Sequence, residues 1–355
     1  MNFVGIDIHK RYSVCTAQDE QGRKLAVARI DGNAASGFAQ FFQGLGGESK
    51  AVLEACWSWG KIHDLLEDLP QVVEVVLAHP LKTHLIASAQ IKTDKVDSNA
   101  LATLLRGNFI ARAHIPTKAV RQRRDTLRQR LYWARLRTRI RNRVHALLDR
   151  QPQLALPQCS DLFGVRGMCH LRKLRLAEPD HALLQEDLAL LELLNLQIRD
   201  QEKRIAAQSQ PDEDTRLIQS IPGFGPIFAS IIAAEIDGIE RFSDSAHLCA
   251  CAGLVPTTYA SGGHVSHGGL LPACNHWLRW AFIEGAWTAI GSSPYLASIY
   301  QRHRARGKQA RAAIVIVAHR MCQIVYCLLK ERRPYHDHPK QNHPKQFSPV
   351  APASA

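Results

Sequence analysis

The sequence lacks several features that would indicate a membrane or secreted protein. No apolar run reaches the length of a membrane-spanning helix, and no signal segment precedes Asp7, so we expect a cytoplasmic protein. The nine cysteines are irregularly spaced and include no C-x-x-C pair, which argues against zinc and disulfides. Cys249 and Cys251, in an alanine-rich apolar segment, are predicted to be reduced core thiols. A Walker-type phosphate loop is also absent.

What the sequence has in excess is positive charge. The formal net charge is +13 over 355 residues, and 46% of the residues are hydrophobic. This length and apolar content allow two or three domains with cores of their own. A basic balance of this size favours polyanionic partners, nucleic acid above all, although an anionic membrane surface fits the charge too.

Two acids stand close together at the start of a predicted helix. Asp94 and Asp97 are three residues apart, so they project from the same helix face. The pair has two interpretations. Acids in a first turn can cap the helix and complement its dipole, and adjacent carboxylates can also bind a hard divalent cation such as Mg²⁺.

Two further acids lie in short apolar runs upstream. Asp7 is in the predicted strand 2–8, and Glu54 is near the end of the predicted strand 50–55. An acid among strand residues is costly to bury unless it is paired or bound to a metal. A cation site shared with Asp94 and Asp97 would explain why each of the three segments carries a carboxylate.

These segments resemble a known family. G-I-D at 5–7, L-E-A at 53–55 and T-D-x-V-D at 93–97 resemble the DEDD transposases of bacterial insertion sequences, the IS110 and IS1111 group. The resemblance implies a RuvC-like (RNase H-like) N-terminal domain that binds one or two Mg²⁺ ions. The residues that match the family's catalytic and metal-binding acids are Asp7, Glu54, Asp94 and Asp97.

The N-terminal pattern is α/β, and the resemblance makes it RNase H-like. Alternation and turn residues predict strands at 2–8, 12–18, 24–30, 50–55 and 72–77. Helices are predicted at 34–44, 59–68, 80–88 and 94–106.

A basic helix is predicted from about 118 to 150. It has eleven arginines between Arg121 and Arg150 but only two acids, and its apolar residues form one stripe. With few acids nearby, we expect these arginines to bind a nucleic-acid backbone. Tyr132 and Trp133 either pack in the core or stack on a base. The predicted nucleic-acid-binding residues in this helix are Arg121, Arg124, Arg128, Arg135, Arg139 and Arg143.

After an irregular stretch at 152–176, a second long helix is predicted from 180 to about 208. Its leucine-rich stripe indicates a coiled-coil element. The partner is either the basic helix of the same chain, as a hairpin, or another protomer. The sequence does not decide between these two partners.

The C-terminal region carries a second set of motifs that resemble the family. I-P-G-F-G-P at 221–226 resembles a helix-hairpin-helix turn, in which Gly223 and Gly225 can bring backbone N–H groups to a phosphate. A-G-L-V-P-T-T-Y-A-S-G at 252–262 resembles the family segment whose serine is the DNA nucleophile, which implies that role for Ser261. The chain departs from the family pattern after Glu54 and after Ser261.

Helices at 275–291 and 307–330 complete a mainly helical domain. A second basic cluster, with Arg302 and Arg304 as predicted nucleic-acid ligands, precedes the last of them. The predicted domains are a catalytic domain at 1–112, a basic helical arm at 118–210, a C-terminal transposase domain at 215–331 and a disordered tail at 332–355.

The leading hypothesis is a transposase that recombines DNA through a phosphoserine at Ser261. By resemblance it uses Mg²⁺ and a structured guide RNA (bridge RNA), assembles from dimers into a tetramer, and acts at the nucleoid without a membrane partner. One alternative is a RuvC-like nuclease that activates water with the same four acids. Another is a non-catalytic DNA- or RNA-binding protein.

Overall fold

The computed structural model describes residues 1–86, 93–151, 153–208, 212–261 and 264–337. Its internal contacts divide the chain into two units, Met1–Pro116 and Thr117–Ala355. The end of the helix predicted at 80–88 and the tail beyond residue 337 lie outside the described residues.

The first unit is built on a five-stranded mixed sheet. Its strand order is β3-β2-β1-β4-β5, in which β1 to β3 are antiparallel and β1, β4 and β5 are parallel. Each strand begins and ends within one residue of its predicted bounds. The strands are β1 (Asn2–Ile8), β2 (Tyr12–Gln18), β3 (Lys24–Asp31), β4 (Ser49–Glu54) and β5 (Val72–Ala78). The α/β prediction for this region is confirmed.

Helices contribute to separate cores on the two faces of the sheet. One core contains Phe38 and Phe42 of α1 (Ala35–Leu45) and Ile62 and Leu66 of α2 (Trp59–Glu67). The other contains Leu101 and Leu105 of α4 (Asp94–Arg106). The short helix α3 (Pro80–Ile86) precedes α4 in the chain. Because successive strand residues face opposite sides, the odd-numbered residues of β1 face α4.

Helix α4 lies unusually close to the central strand β1. A Cβ atom added to Gly5 would be 2.0 Å from the carbonyl oxygen of Ser98 and 2.5 Å from the amide nitrogen of Ala102. The buried hydroxyls of Thr16 and Ser98 hydrogen-bond at 2.8 Å beside this contact. Gly5 therefore allows the helix backbone to rest on the sheet, two residues before Asp7.

The second unit begins with the basic helix α5 (Lys118–Asp149), followed by α6 (Val165–Lys173) and α7 (Asp180–Gln208). Helix α7 packs antiparallel to α5 within the chain, because ion-paired positions rise along one helix as they fall along the other: Arg130–Glu202, Arg143–Asp187 and Arg150–Asp180. The prediction that 152–176 is irregular is wrong for α6. Its Gly167 is a packing position, where an added Cβ would meet the Leu162 carbonyl at 2.0 Å.

The rest of the second unit is mainly helical, as predicted. Buried side chains from α5, α8, α9, α10, α11 and α13 form one large core. The elements are α8 (Glu213–Gln219), α9 (Pro226–Ile236), α10 (Ser245–Cys251), β6 (Pro256–Ser261), β7 (His264–Leu270), α11 (His276–Ala289), α12 (Pro294–Ala305) and α13 (Ala310–Glu331). A short 3₁₀ turn, Ile239–Arg241, follows α9. Helix α12 and the β6–β7 ribbon were not predicted.

Helix α13 corrects one expectation about hydropathy. It is long and apolar enough to cross a membrane by length and composition, so the expectation that no apolar run reaches that length is wrong. In the structure 61% of its most apolar window is buried, and it belongs to the core of the second unit. The described start of the predicted disordered tail, 332–337, is held by hydrogen bonds; in one of them the Ser293 hydroxyl donates to Asp337 at 2.6 Å.

Gly5 provides a stability test of the contact between α4 and β1. We expect Gly5→Ala to lower the free energy of unfolding of the first unit by roughly 1–3 kcal/mol, because the added methyl meets backbone atoms that side-chain motion cannot relieve. The matched control is Gly44→Ala, at an exposed position of α1 where an added Cβ meets nothing within 4 Å. Urea unfolding of both variants checks this, and equal stabilities would contradict it.

Candidate active site

Asp7 lies on the central strand in a partly buried position. Its side chain is 22% exposed, and burial raises its pKa above the ordinary aspartate value. The negative charges of Asp94 and Asp97 raise the pKa further, whereas His9 lowers it. A nearby cation would therefore favour the ionised form of Asp7.

Asp94 is brought to Asp7 by the first turn of α4. Thr93 caps this helix, accepting a hydrogen bond from the Val96 amide at 3.3 Å. The hydroxyl of Tyr12 donates to Asp94 Oδ2 at 2.9 Å and is the main reason why the pKa of Asp94 is lowered. The guanidinium of Arg29 lies 3.5 Å from the centre of the Tyr12 ring, on the same side chain that orients Asp94.

His9 completes this cluster and was not among the residues predicted from the sequence. Its Nε2 lies 3.0 Å from Asp7 Oδ2 and 3.3 Å from Asp94 Oδ1. The signal was available, because residues two apart on an extended strand share a face. Asp7 and His9 follow that spacing in G-I-D-I-H.

Glu54 and Asp97 stand near this cluster without joining it. Ile6 pairs with Leu53 in the parallel register of β1 and β4, so Asp7 and Glu54 occupy the next positions on adjacent strands and share a face. Glu54 is exposed. Asp97 lies one turn along α4 from Asp94, close enough for its charge to affect Asp7.

The cluster has the ligand chemistry of a divalent cation site. The nearest oxygen and nitrogen atoms of Asp7, His9 and Asp94 all lie within 4.8 Å of one another. Carboxylate oxygens suit Mg²⁺ and Mn²⁺, and imidazole suits transition metals. A second group among the described residues, His63, Asp64 and Glu67, comes from a single helix, where neighbouring turns bring such side chains together.

Ser261 lies at the end of β6, in an exposed two-stranded ribbon. It is directly opposite His264 in the antiparallel register, as Tyr259 is opposite Ser266. These four side chains share one face of the ribbon, because opposite residues and residues two apart lie on the same side. Ser261 is exposed, and Tyr259 is 69% exposed. Gly262 and Gly263 lie outside the described residues.

The arginines of α5 correct the expectation that they lack acidic partners. The acids come from elsewhere in the chain, so the local count of two acids was misleading. Arg128 binds both carboxylate oxygens of Glu235 at 2.8 and 2.9 Å, and Arg143 binds Asp187 at 2.8 Å. Arg124 donates to the carbonyl of Ala234 at 2.8 Å.

The other predicted arginines of α5 differ in their surroundings. Arg121 has a partner within the protein. Arg135 stacks over the rings of Trp277 and Trp280, at 4.6 and 5.1 Å. Arg139 is exposed and has no acidic partner among the described residues. Of the two neighbouring aromatics, Trp133 packs in the core, whereas Tyr132 is 54% exposed.

Glu235 is a buried hub that connects three helices. Its side chain is 1% exposed and binds Arg128 of α5. It also accepts a hydrogen bond at 2.8 Å from Asn275, whose own oxygen caps α11 by accepting from the amides of Trp277 and Leu278. The segment that follows the ribbon is therefore fixed to α5 and α9 through one buried carboxylate.

Arg302 and Arg304 lie in a basic cluster, Arg302–Arg311, that has no acidic partner among the described residues. The cluster is exposed at Arg302, Arg304, Arg306, Lys308 and Arg311. The pKa of His303 is lowered by burial and then by the surrounding positive charges. This surface fits a phosphate backbone better than the paired arginines of α5 do.

The two predicted turn glycines have different surroundings. Gly223 has a φ of +93°, and an added Cβ would meet the carbonyl of Gly285 in α11 at 2.2 Å. Gly223 therefore packs closely on α11, and its contact with a phosphate stays a prediction. Gly225 precedes α9 as its N-cap and has open space around it.

Comparison with known proteins assigns the region of the acids and the region of Ser261 to the same family. A DEDD transposase model of the IS110 type matches residues 4–151, which include the acids. A second model, described as the transposase IS116/IS110/IS902 family, matches residues 215–301, which include Ser261. The chain belongs to the IS110 family of transposases.

Individual relatives agree with this family. A probable family 20 transposase of Pseudomonas aeruginosa is 24% identical over 297 residues, which are 80% of this chain and 85% of that protein. The transposase for IS1111A of Coxiella burnetii is 30% identical over 41% of each chain. The match to the insertion element IS116 protein of Streptomyces clavuligerus, 26% identical over 39% of this chain, spans only 35% of that protein.

Tyr12→Phe tests how Asp94 is held. The pKa of Asp94 is lower in the folded protein than in the unfolded chain. Its ionised carboxylate therefore stabilises the fold at pH values above the pKa of the unfolded chain, and this stabilisation is lost as the pH falls through the pKa of the folded protein. Without the Tyr12 hydroxyl, we expect the pKa of Asp94 to rise toward the ordinary aspartate value, below neutral pH. Carbon NMR titration of labelled aspartates measures this. Tyr132→Phe is the control, and an unchanged Asp94 midpoint in Tyr12→Phe would contradict the assignment.

Substitutions in the two sets of arginines should have different effects. Replacing Arg302, Arg304 and Arg306 with Gln should weaken DNA binding and reduce its salt slope by about 0.7–0.9 per lost phosphate contact. Arg128→Gln should instead destabilise the second unit, by at most about 3–5 kcal/mol, because the buried Glu235 loses its two-bond partner and keeps only the longer ion pair with Arg124 at 3.6 Å. Binding at several salt concentrations and urea unfolding check both. The account fails if the salt slope falls only for Arg128→Gln.

Proposed function

We propose that this protein is an insertion-sequence transposase that cuts and rejoins DNA through a phosphoserine at Ser261. The observation that carries the proposal is that α4 places Asp94 beside Asp7, in a chain of the IS110 family. The mixed sheet that holds these acids supports the RNase H-like assignment. Glu54 and Asp97 complete the proposed set, as the family resemblance implies.

The acids are assigned the task of binding Mg²⁺. The raised pKa of Asp7 and the hydrogen bond that orients Asp94 are typical of carboxylates that function near a cation. A bound divalent cation supplies positive charge that offsets the negative charge of a phosphate. Tyr12 leaves Oδ1 of Asp94 directed toward Asp7 and His9.

Ser261 is assigned the role of nucleophile. Its oxygen forms a bond to phosphorus as the bond from phosphorus to the leaving sugar oxygen breaks. The proton that the serine loses is balanced by the one that the leaving oxygen gains. In the rejoining step a sugar hydroxyl attacks the phosphoserine and releases Ser261. The number of phosphodiester-type bonds is conserved, so the reaction needs no nucleotide hydrolysis.

The exposed ribbon supports this role, because a nucleophile for DNA must be reachable by a large substrate. Ser261 and Tyr259 are both exposed on one face. The basic cluster Arg302–Arg311 supplies unpaired charge for a DNA or RNA backbone. By family resemblance, the nucleic-acid partners are donor DNA, target DNA and a structured guide RNA, and the active form is a tetramer built from dimers.

The decisive experiment traps the covalent intermediate. With a nicked DNA substrate, we expect stalled reactions to contain protein–DNA adducts that map by mass spectrometry to Ser261. Ser261→Ala should lose adduct and strand exchange while retaining DNA binding. Ser266→Ala and Tyr259→Phe are matched controls on the same ribbon face, and both should retain the adduct.

Two outcomes would overturn the assignment. Full strand cleavage by Ser261→Ala would transfer the chemistry to water and the four acids, as in a RuvC-like nuclease. Binding without any cleavage by the unmodified protein, with its RNA and Mg²⁺ supplied, would indicate a non-catalytic binding protein.

A further inference from the structure

His9 occupies the position of a ligand within the acid cluster. Its Nε2 is the one nitrogen of the cluster and lies between the two aspartates, 3.0 Å from Asp7 Oδ2 and 3.3 Å from Asp94 Oδ1. The family resemblance assigns the cation to carboxylates only. Nothing in that assignment requires a histidine here.

The separations fit a shared metal ion. Two ligand atoms at right angles, each about 2.1 Å from an octahedral ion, are about 3.0 Å apart. His9 Nε2 stands at close to this distance from one oxygen of each aspartate. Small side-chain movements would place all three atoms at bonding distance from one ion.

The backbone around His9 is fixed before any ion binds. The His9 amide donates to the Tyr12 carbonyl at 2.9 Å, and the side chain of Asn33 donates to the His9 carbonyl at 2.9 Å. Asn33 is itself held by Ser13, which donates to its side-chain oxygen at 2.7 Å. The His9 ring lies 4.7 Å from the ring of Tyr12, the residue that orients Asp94. The hydrogen bonds fix the His9 backbone, and the neighbouring Tyr12 ring limits the space open to the imidazole, so the ring is positioned beside the two aspartates.

We propose that His9 is a direct metal ligand alongside Asp7 and Asp94, and that the site therefore binds Mn²⁺ more tightly than Mg²⁺. The chemical reason is that imidazole nitrogen suits first-row transition metals, whereas Mg²⁺ prefers an all-oxygen shell. The inference rests on the proposed metal-dependent function and specifies the ligand set of the same site.

Pulsed electron paramagnetic resonance of the Mn²⁺-loaded full-length protein tests the bond directly. We expect nitrogen-14 modulation from a coordinated imidazole, replaced by the nitrogen-15 pattern when histidine is labelled. His9→Phe should lose the modulation. His63→Ala, in the second candidate group, should retain it and so exclude that group as the source.

Metal affinity gives a second readout that does not depend on activity. Calorimetric titration should show Mn²⁺ affinity falling at least about tenfold in His9→Phe, with a smaller change for Mg²⁺. Bound Mn²⁺ without nitrogen modulation in the unmodified protein would overturn the role of His9 and leave the carboxylate site intact. Mn²⁺ binding that is unaffected by Asp94→Asn would overturn the proposed site itself.

Discussion

The close packing of α4 on β1 at Gly5 is the constraint on which the candidate active site depends. A helix backbone can approach a strand this closely only where the strand has no side chain, and an added methyl would lie 2.0 Å from a carbonyl oxygen. The register that follows places Ser98 against Thr16 and Asp94 against Tyr12. Asp94 therefore reaches Asp7 as a consequence of packing farther along the helix. The position of Asp94 is therefore set by the packing of the helix on the sheet.

The second unit uses its charges in two different ways. Buried acids such as Glu235 and Asp187 pair with arginines of α5 and hold helices together, at positions where an unpaired charge would be costly. The exposed arginines of the cluster Arg302–Arg311, at the end of α12 and beyond it, have no acidic partners among the described residues. The excess of positive charge therefore has a structural part and an exposed part, which net charge alone cannot separate.

Much of the fold could be predicted from sequence, because strand alternation and helix periodicity are local signals. All five strands of the sheet and the two long helices follow such patterns. The partners of the arginines could not be predicted, since Glu235 is far from Arg128 in the chain and only tertiary packing brings them together. Helix α6 was missed because its glycines read as breakers, whereas Gly167 serves close packing. The β6–β7 ribbon was missed because its glycine-, serine- and histidine-rich sequence has little apolar alternation.

In the candidate site, too, some features could be predicted from the sequence and others required the structure. The acids were found by resemblance and by their positions in strands, but their grouping into a Asp7–His9–Asp94 cluster with Glu54 and Asp97 beside it required the structure. The central claim is that this cluster binds the catalytic cation. Anomalous diffraction at the manganese edge, from crystals grown with Mn²⁺, tests it most directly. The account predicts a peak bonded to Asp7 and Asp94. A peak only at His63 and Glu67, or none at the acids in crystals whose protein has bound Mn²⁺ in solution, would contradict it.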